Sequence, residues 1–105
     1  MCDTEHPVNF TVEVDRDVQS IVPEFLENRR KDCLLITRLL QEGAYSEIRT
    51  LGHRMKGTGG SFGFDAISEI GGIVEAAALA ADDKAIQAAV QRLSDYLERV
   101  VVVYA

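Results

Sequence analysis

Apolar residues recur at helical spacing along most of the chain. From Glu24 to about Gln41, Phe25, Leu26, Cys33, Ile36, Leu39 and Leu40 share one side. Pro23 suits the first position of that helix, where no donor is lost, and Gly43 is placed to end it. Advancing roughly 100° per residue from Ile48 puts Leu51, Met55, Gly59 and Phe62 within about 60° of it. That stripe predicts a second helix, from a Ser46 cap to about Phe62, with Gly63 as its stop. Ile67, Ile70, Val74 and Ala77 or Ala78 predict a third, capped by Asp65 and running to Ala81. Its small residues, Gly71 and Gly72 among them, permit close helix approach. Asp82 or Asp83 caps a fourth, in which Ile86, Ala89, Val90, Leu93, Leu97, Val100 and Tyr104 hold the spacing.

Two stretches read less simply. Val100 to Val103 is β-prone, but the apolar stripe continues through it, so it is assigned to the last helix. Phe10 to Val14 alternates apolar and polar, but no other segment offers a strand to pair with. It is read as an extended segment laid over a helical core. Asp15 or Asp17 can cap a short leading helix. The expected fold is all-α: an antiparallel up-down four-helix bundle with a short extra N-terminal helix, since short links favour antiparallel neighbours. Residues 1–14 are expected to form an extended arm, mobile at its start, and residues 15–105 the bundle.

Composition narrows the function. A chain of 105 residues with 47% apolar content has room for one core. No apolar run approaches the ~18 residues of a membrane span, and no basic-then-apolar leader opens the chain. Cys2 and Cys33 do not pair by spacing, and Cys33, among Leu34, Leu35 and Ile36, is read as a buried thiol in a reducing compartment. A cytoplasmic protein is expected. The net charge of −6 argues against nucleic acid, and Arg29-Arg30-Lys31 reads as the solvated side of a helix. His6 has no partner at metal-ligand spacing. The stripes are all used by one bundle, so a monomer is expected.

The pointed chemistry lies in the second helix. His53 falls at about 140° from the apolar stripe and so faces outward. Gly57 and Gly60 flank it, and Lys56 lies one turn on. Each interior glycine costs roughly 1 kcal/mol against alanine, so several in one helix need a compensating reason. Open access to His53 is one reason; close packing of a neighbouring helix serves equally for Gly52 and Gly59. Neutral imidazole is a nucleophile near neutral pH and can accept a phosphoryl group on one nitrogen while the other is held. A nearby ammonium helps carry the charge on the phosphoryl oxygens. These pieces fit phosphotransfer, and an ordinary surface histidine fits them too.

The segment Gly52-His-Arg-Met-Lys-Gly-Thr-Gly-Gly-Ser-Phe-Gly-Phe64 resembles the signature of histidine-containing phosphotransfer (HPt) domains: a histidine, two residues, Lys-Gly, five residues, then Gly. The helix start at Pro23–Leu26, Phe64-Asp65, Ser68-Glu69 and the helix from Leu93 to Tyr104 are also similar, so the likeness covers about residues 14 to 104. It implies that His53 is phosphorylated on Nε2 and that Lys56 steadies the phosphoryl oxygens. It implies further that Gly57 keeps the histidine face open and Gly63 marks the helix end. The family often sets a Gln or Glu on the following helix against the other ring nitrogen, and Glu75 stands at the matching distance. Arg54 adds positive charge beside the site. The implied partners are response-regulator receiver domains, with a hybrid sensor histidine kinase a further candidate. The chain is then a stoichiometric phosphocarrier with no cofactor of its own, Mg²⁺ being supplied by the receiver.

Two rival readings stand beside this one. A histidine-kinase dimerisation segment also carries a phosphohistidine on a helical hairpin, but an acidic residue usually follows that histidine, where this chain has Arg54. A plain helical adaptor would use its glycines for packing alone. The run from Gly52 to Thr58 lacks the Gly-Lys-Ser/Thr ending of a nucleotide-binding loop.

Overall fold

The computed structural model describes residues 9–105. The expectations for Cys2, for His6 and for the start of the arm fall outside it. Four helices account for most of the chain: α1 (Val22–Gln41), α2 (Tyr45–Gly59), α3 (Asp65–Leu79) and α4 (Asp83–Arg99). They form the expected helical bundle, in which each helix packs on the next and α4 returns to α1. Two short strands frame them, β1 (Phe10–Val14) and β2 (Val100–Tyr104), and a single 3-10 turn at Arg16–Val18 takes the place of the short leading helix.

The core is built from the stripes. Ile36, Ile48, Ile67, Ile70, Val74, Ile86 and Leu93 are fully buried, one or more from each helix. Burying each such side chain contributes about 1.5–3 kcal/mol relative to exposure. Phe25 ties the far end of α2 into this core: its ring centroid lies 4.8 Å from that of Phe62 and 5.6 Å from that of the buried Phe64. Cys33 is buried as expected, and burial, with Asp32 adding repulsion, pushes its thiol up to about 11.

Three helix ends close the same way. In each, one residue with positive φ follows the helix: Gly43 at 68°, Gly63 at 91° and Ala81 at 52°. The next amide reaches back five residues, from Ala44 to Leu39, Phe64 to Gly59 and Asp82 to Ala77, at 2.8–2.9 Å. These paired back-bonds satisfy carbonyls that the helix end would leave orphaned. Gly43 and Gly63 act as the sequence suggests; Ala81 adopts the same conformation at a steric cost.

Several boundary expectations are corrected. Ser46 is not a cap: α2 starts at Tyr45 after Ala44, and the Ser46 carbonyl accepts the Thr50 hydroxyl. Asp65 does not cap α3 but occupies its first turn, where a carboxylate favours the positive end of the helix. Asp82, not Asp83, caps α4 by accepting from the Ala85 amide. Asp83 instead accepts the Tyr45 hydroxyl, joining the starts of α2 and α4.

The larger correction concerns the two ends. Val100 to Tyr104 is a strand, not the last turn of α4, and it pairs in parallel with Phe10 to Val14, Phe10 opposite Val100 and Val14 opposite Tyr104. Four consecutive valines lose side-chain freedom in a helix and gain none of its packing, whereas β1 offers a free ladder. Val14 and Arg16 continue the pairing with both backbone groups of Ala105. Val14 is buried, so the sheet is fastened to the core rather than laid over it.

Replacing Ala81 with glycine removes the Cβ from a left-handed position. Ala81→Gly is expected to raise stability by about 0.5–1 kcal/mol, the steric relief exceeding the extra freedom of the unfolded chain. The check is a urea titration in which the midpoint rises while the slope stays constant.

Candidate functional site

The site is made where α2 crosses α3. Gly52 and Gly71 meet at the crossing, backbone against backbone. A Cβ on Gly52 would lie 2.6 Å from the Glu75 amide nitrogen and 2.9 Å from the Gly71 carbonyl oxygen. A Cβ on Gly71 would overlap the Lys56 amide nitrogen and stand 2.8 Å from the Gly52 carbonyl oxygen. Side chains would hold the helices farther apart, since ordinary interaxial distances are about 8–10 Å. Close packing is thus the reason for Gly52, and for Gly59, whose Cβ would stand 2.6 Å from the Ser68 amide.

The crossing sets the reach of the side chains above it. His53 projects from α2 with its side chain 72% exposed, and its Nδ1 lies 2.9 Å from Oε2 of Glu75 on α3. Glu75 is the less exposed partner, at 23%. Its other oxygen, Oε1, lies 3.7 Å from the Lys56 Nζ. One carboxylate therefore serves both the imidazole and the ammonium. A carboxylate at Nδ1 favours the tautomer with the proton on that nitrogen and leaves the Nε2 lone pair outward. No described residue hydrogen-bonds Nε2.

The glycines around the ring divide by role. A Cβ on Gly57 would meet nothing within 4 Å, so this position is open surface. Gly60 differs: its amide donates to the Ser68 Oγ at 2.7 Å, and its Cβ would sit 3.4 Å from the same oxygen. Gly60 belongs to the end of the helix as much as to the histidine face. Gly63 lies beyond it, at the stop. Arg54 turns to the other flank of α2, where it borders a groove with Leu35, Leu39 and Leu51. Its charge is felt by Asp32 on α1, whose pKa is raised by burial against the opposing pull of Arg29 and Arg54.

Two features escaped the sequence reading. Ser68 bridges α3 to α2: its hydroxyl donates to the Lys56 carbonyl at 2.8 Å while accepting from Gly60. Those are the two groups that an α-helix would bond directly to each other. A serine in the first turn of a helix carries no signal that its partner is another helix. Arg49, one turn before His53, borders a surface depression of about 320 Å³ with Ser46, Thr50, His53 and Glu75. Four-residue spacing from the histidine was its only sequence signal.

The Hpt domain profile matches residues 20–102, nearly the whole chain, and the chain belongs to that family. No curated protein and no solved structure matches significantly. The family carries out histidine phosphotransfer in phosphorelays, acts as phosphocarrier rather than catalyst, and works with receiver domains. No described helix is long and apolar enough to cross a membrane.

The two kinds of glycine make opposite stability predictions. Gly71→Ala is expected to cost about 1–3 kcal/mol, because an added methyl meets the backbone of α2. Gly57→Ala is expected to stabilise by about 0.5–1 kcal/mol, since it removes an interior glycine and touches nothing. Equilibrium denaturation of the two variants checks both signs.

Proposed function

We propose that this chain relays phosphoryl groups through Nε2 of His53, taking them from the phosphoaspartate of one receiver domain and passing them to another. The observation that carries the reading is the pairing of an exposed imidazole with Glu75 at 2.9 Å through the nitrogen that does not react. In the forward step the Nε2 lone pair attacks phosphorus. The P–O bond to the donor aspartate breaks and the free carboxylate leaves. The proton on Nδ1 stays in place, shared with Glu75, whose negative charge compensates the phosphoimidazolium. The return step reverses these bonds on the acceptor aspartate.

Lys56 is the cation for the phosphoryl oxygens, three residues along the helix and already beside the same carboxylate. Gly57 leaves the approach to the ring clear. Gly60 and Gly63 shape the helix end beneath the docking face, and Arg54 adds positive charge on its far flank. The receiver brings the acidic pocket and its Mg²⁺, so this chain acts as a stoichiometric carrier without a cofactor. The donor is a response-regulator receiver, free or joined to a hybrid sensor histidine kinase. Neither nucleic acid nor membrane takes part in this reading, which describes a cytoplasmic monomer.

Incubation with a phosphorylated receiver domain is expected to give acid-labile, base-stable label on the wild-type chain and none on His53→Gln. Label that survives His53→Gln would overturn the site assignment. Lys56→Ala is expected to slow transfer about tenfold or more with helicity unchanged, because its ammonium is exposed and its ion pair with Glu75 is a surface one. Stopped-flow or quenched transfer assays with circular dichroism as control measure both.

A further inference from the structure

The charge balance around His53 is incomplete. Lys56 and Glu75 already offset one another, and Glu75 also holds the ring. A phosphoryl group on Nε2 would add close to two negative charges beside that carboxylate. Among the described residues, Arg54 is turned to the groove against α1. Arg49 is not: it borders the depression that His53 and Glu75 share, it is exposed, and no described carboxylate forms an ion pair with it. Side chains on a helix lean toward its N-terminus, so the His53 ring lies over the turn that carries Arg49.

We infer that Arg49 is a second positioning cation for the transferred phosphoryl group, engaging its oxygens from the side of the ring opposite Lys56. The inference rests on His53 being the phosphoacceptor and deepens that reading. A guanidinium suits this role, because it stays charged and its planar fork matches two oxygens of one phosphoryl group. Among the described residues it has no carboxylate partner to give up. Its exposure means that the fold does not depend on it.

The test needs no receiver at its first stage. Phosphoramidate phosphorylates histidine directly, and ³¹P NMR of the product reports the phosphoryl group's own titration. The charged groups facing it are Arg49 and Lys56 from α2 and Glu75 from α3. A cation near the dianion lowers its apparent pKa, so Arg49→Ala is expected to raise that pKa by about half a unit, the Coulomb energy of one charge about 6 Å away in water. Arg49→Lys should restore part of the shift, and Arg54→Ala should produce none. At the second stage, transfer from a phosphorylated receiver should slow about three- to tenfold in Arg49→Ala, with thermal stability unchanged. Identical ³¹P titrations in wild type and Arg49→Ala would overturn the inference, as would an effect of Arg54→Ala in place of Arg49→Ala. Failure of phosphoramidate to label His53 in the wild-type chain would overturn the phosphoacceptor reading as well, a result distinct from an unshifted titration.

Discussion

The contact on which the rest depends is between Gly52 and Gly71, where two helix backbones touch without side chains between them. Glutamate has a short reach. For Glu75 to hold an imidazole that itself stands out in solvent, α2 and α3 must lie closer than ordinary packing allows. Each of these glycines costs about 1 kcal/mol of helix propensity. Burial of Ile48, Met55, Ile70 and Val74 along the same seam outweighs that cost. The core thus sets the distance, and the distance sets the chemistry above it. His53 adds little to stability in this arrangement, because an exposed pair contributes about 0–1 kcal/mol.

A second constraint fixes where α2 ends. The Ser68 hydroxyl stands between the Lys56 carbonyl and the Gly60 amide, so the helix passes from α to 3-10 winding at Gly60–Phe62. Insertion of a side chain into the i to i−4 ladder is a recognised cause of such local change. Gly59 lets Ser68 come close enough, and Gly63 then turns the chain so that Phe64 drops into the core. The glycines of this stretch are therefore mixed in purpose. Gly57 lies on open surface, whereas Gly59, Gly60 and Gly63 shape the helix end. A sequence pattern records only that side chains are absent, and absence at the surface looks the same as absence at a contact.

What was legible follows the same division. Periodicity placed the four apolar stripes, because burial of one helix face is a local pattern with a fixed repeat. His53, facing away from its stripe, followed from the same repeat. The strand at Val100–Tyr104 was hidden by arithmetic: positions four apart share a face in a helix and also in a strand. Val100 and Tyr104 thus fit either assignment. Val102 separates them, since only a strand puts it on the face of its neighbours, and it is half-buried. Its partner, Phe10–Val14, lies at the other end of the chain, and a parallel pair has no local turn to announce it. Ala81 hid for another reason, since the residue type gave no hint of a left-handed backbone.

The shared carboxylate explains why the site needs more than a histidine. With Nδ1 held, the ring keeps its Nε2 lone pair turned outward, so the proposed nucleophile is oriented before a partner arrives. Glu75 also lies within ion-pairing reach of Lys56, so the imidazole and the ammonium share its two oxygens. On the proposed transfer, the ring gains positive charge and the Nδ1–H bond to Glu75 strengthens. The same event brings phosphoryl oxygens into reach of the ammonium. Lys56 then has reason to leave the carboxylate just when the carboxylate is most needed by the ring. On this proposal the exchange of partners offsets only part of the negative charge that the phosphoryl group brings, which keeps the phosphorylated state from being deeply favoured. That is what a carrier requires, since it must release the group as readily as it accepts it.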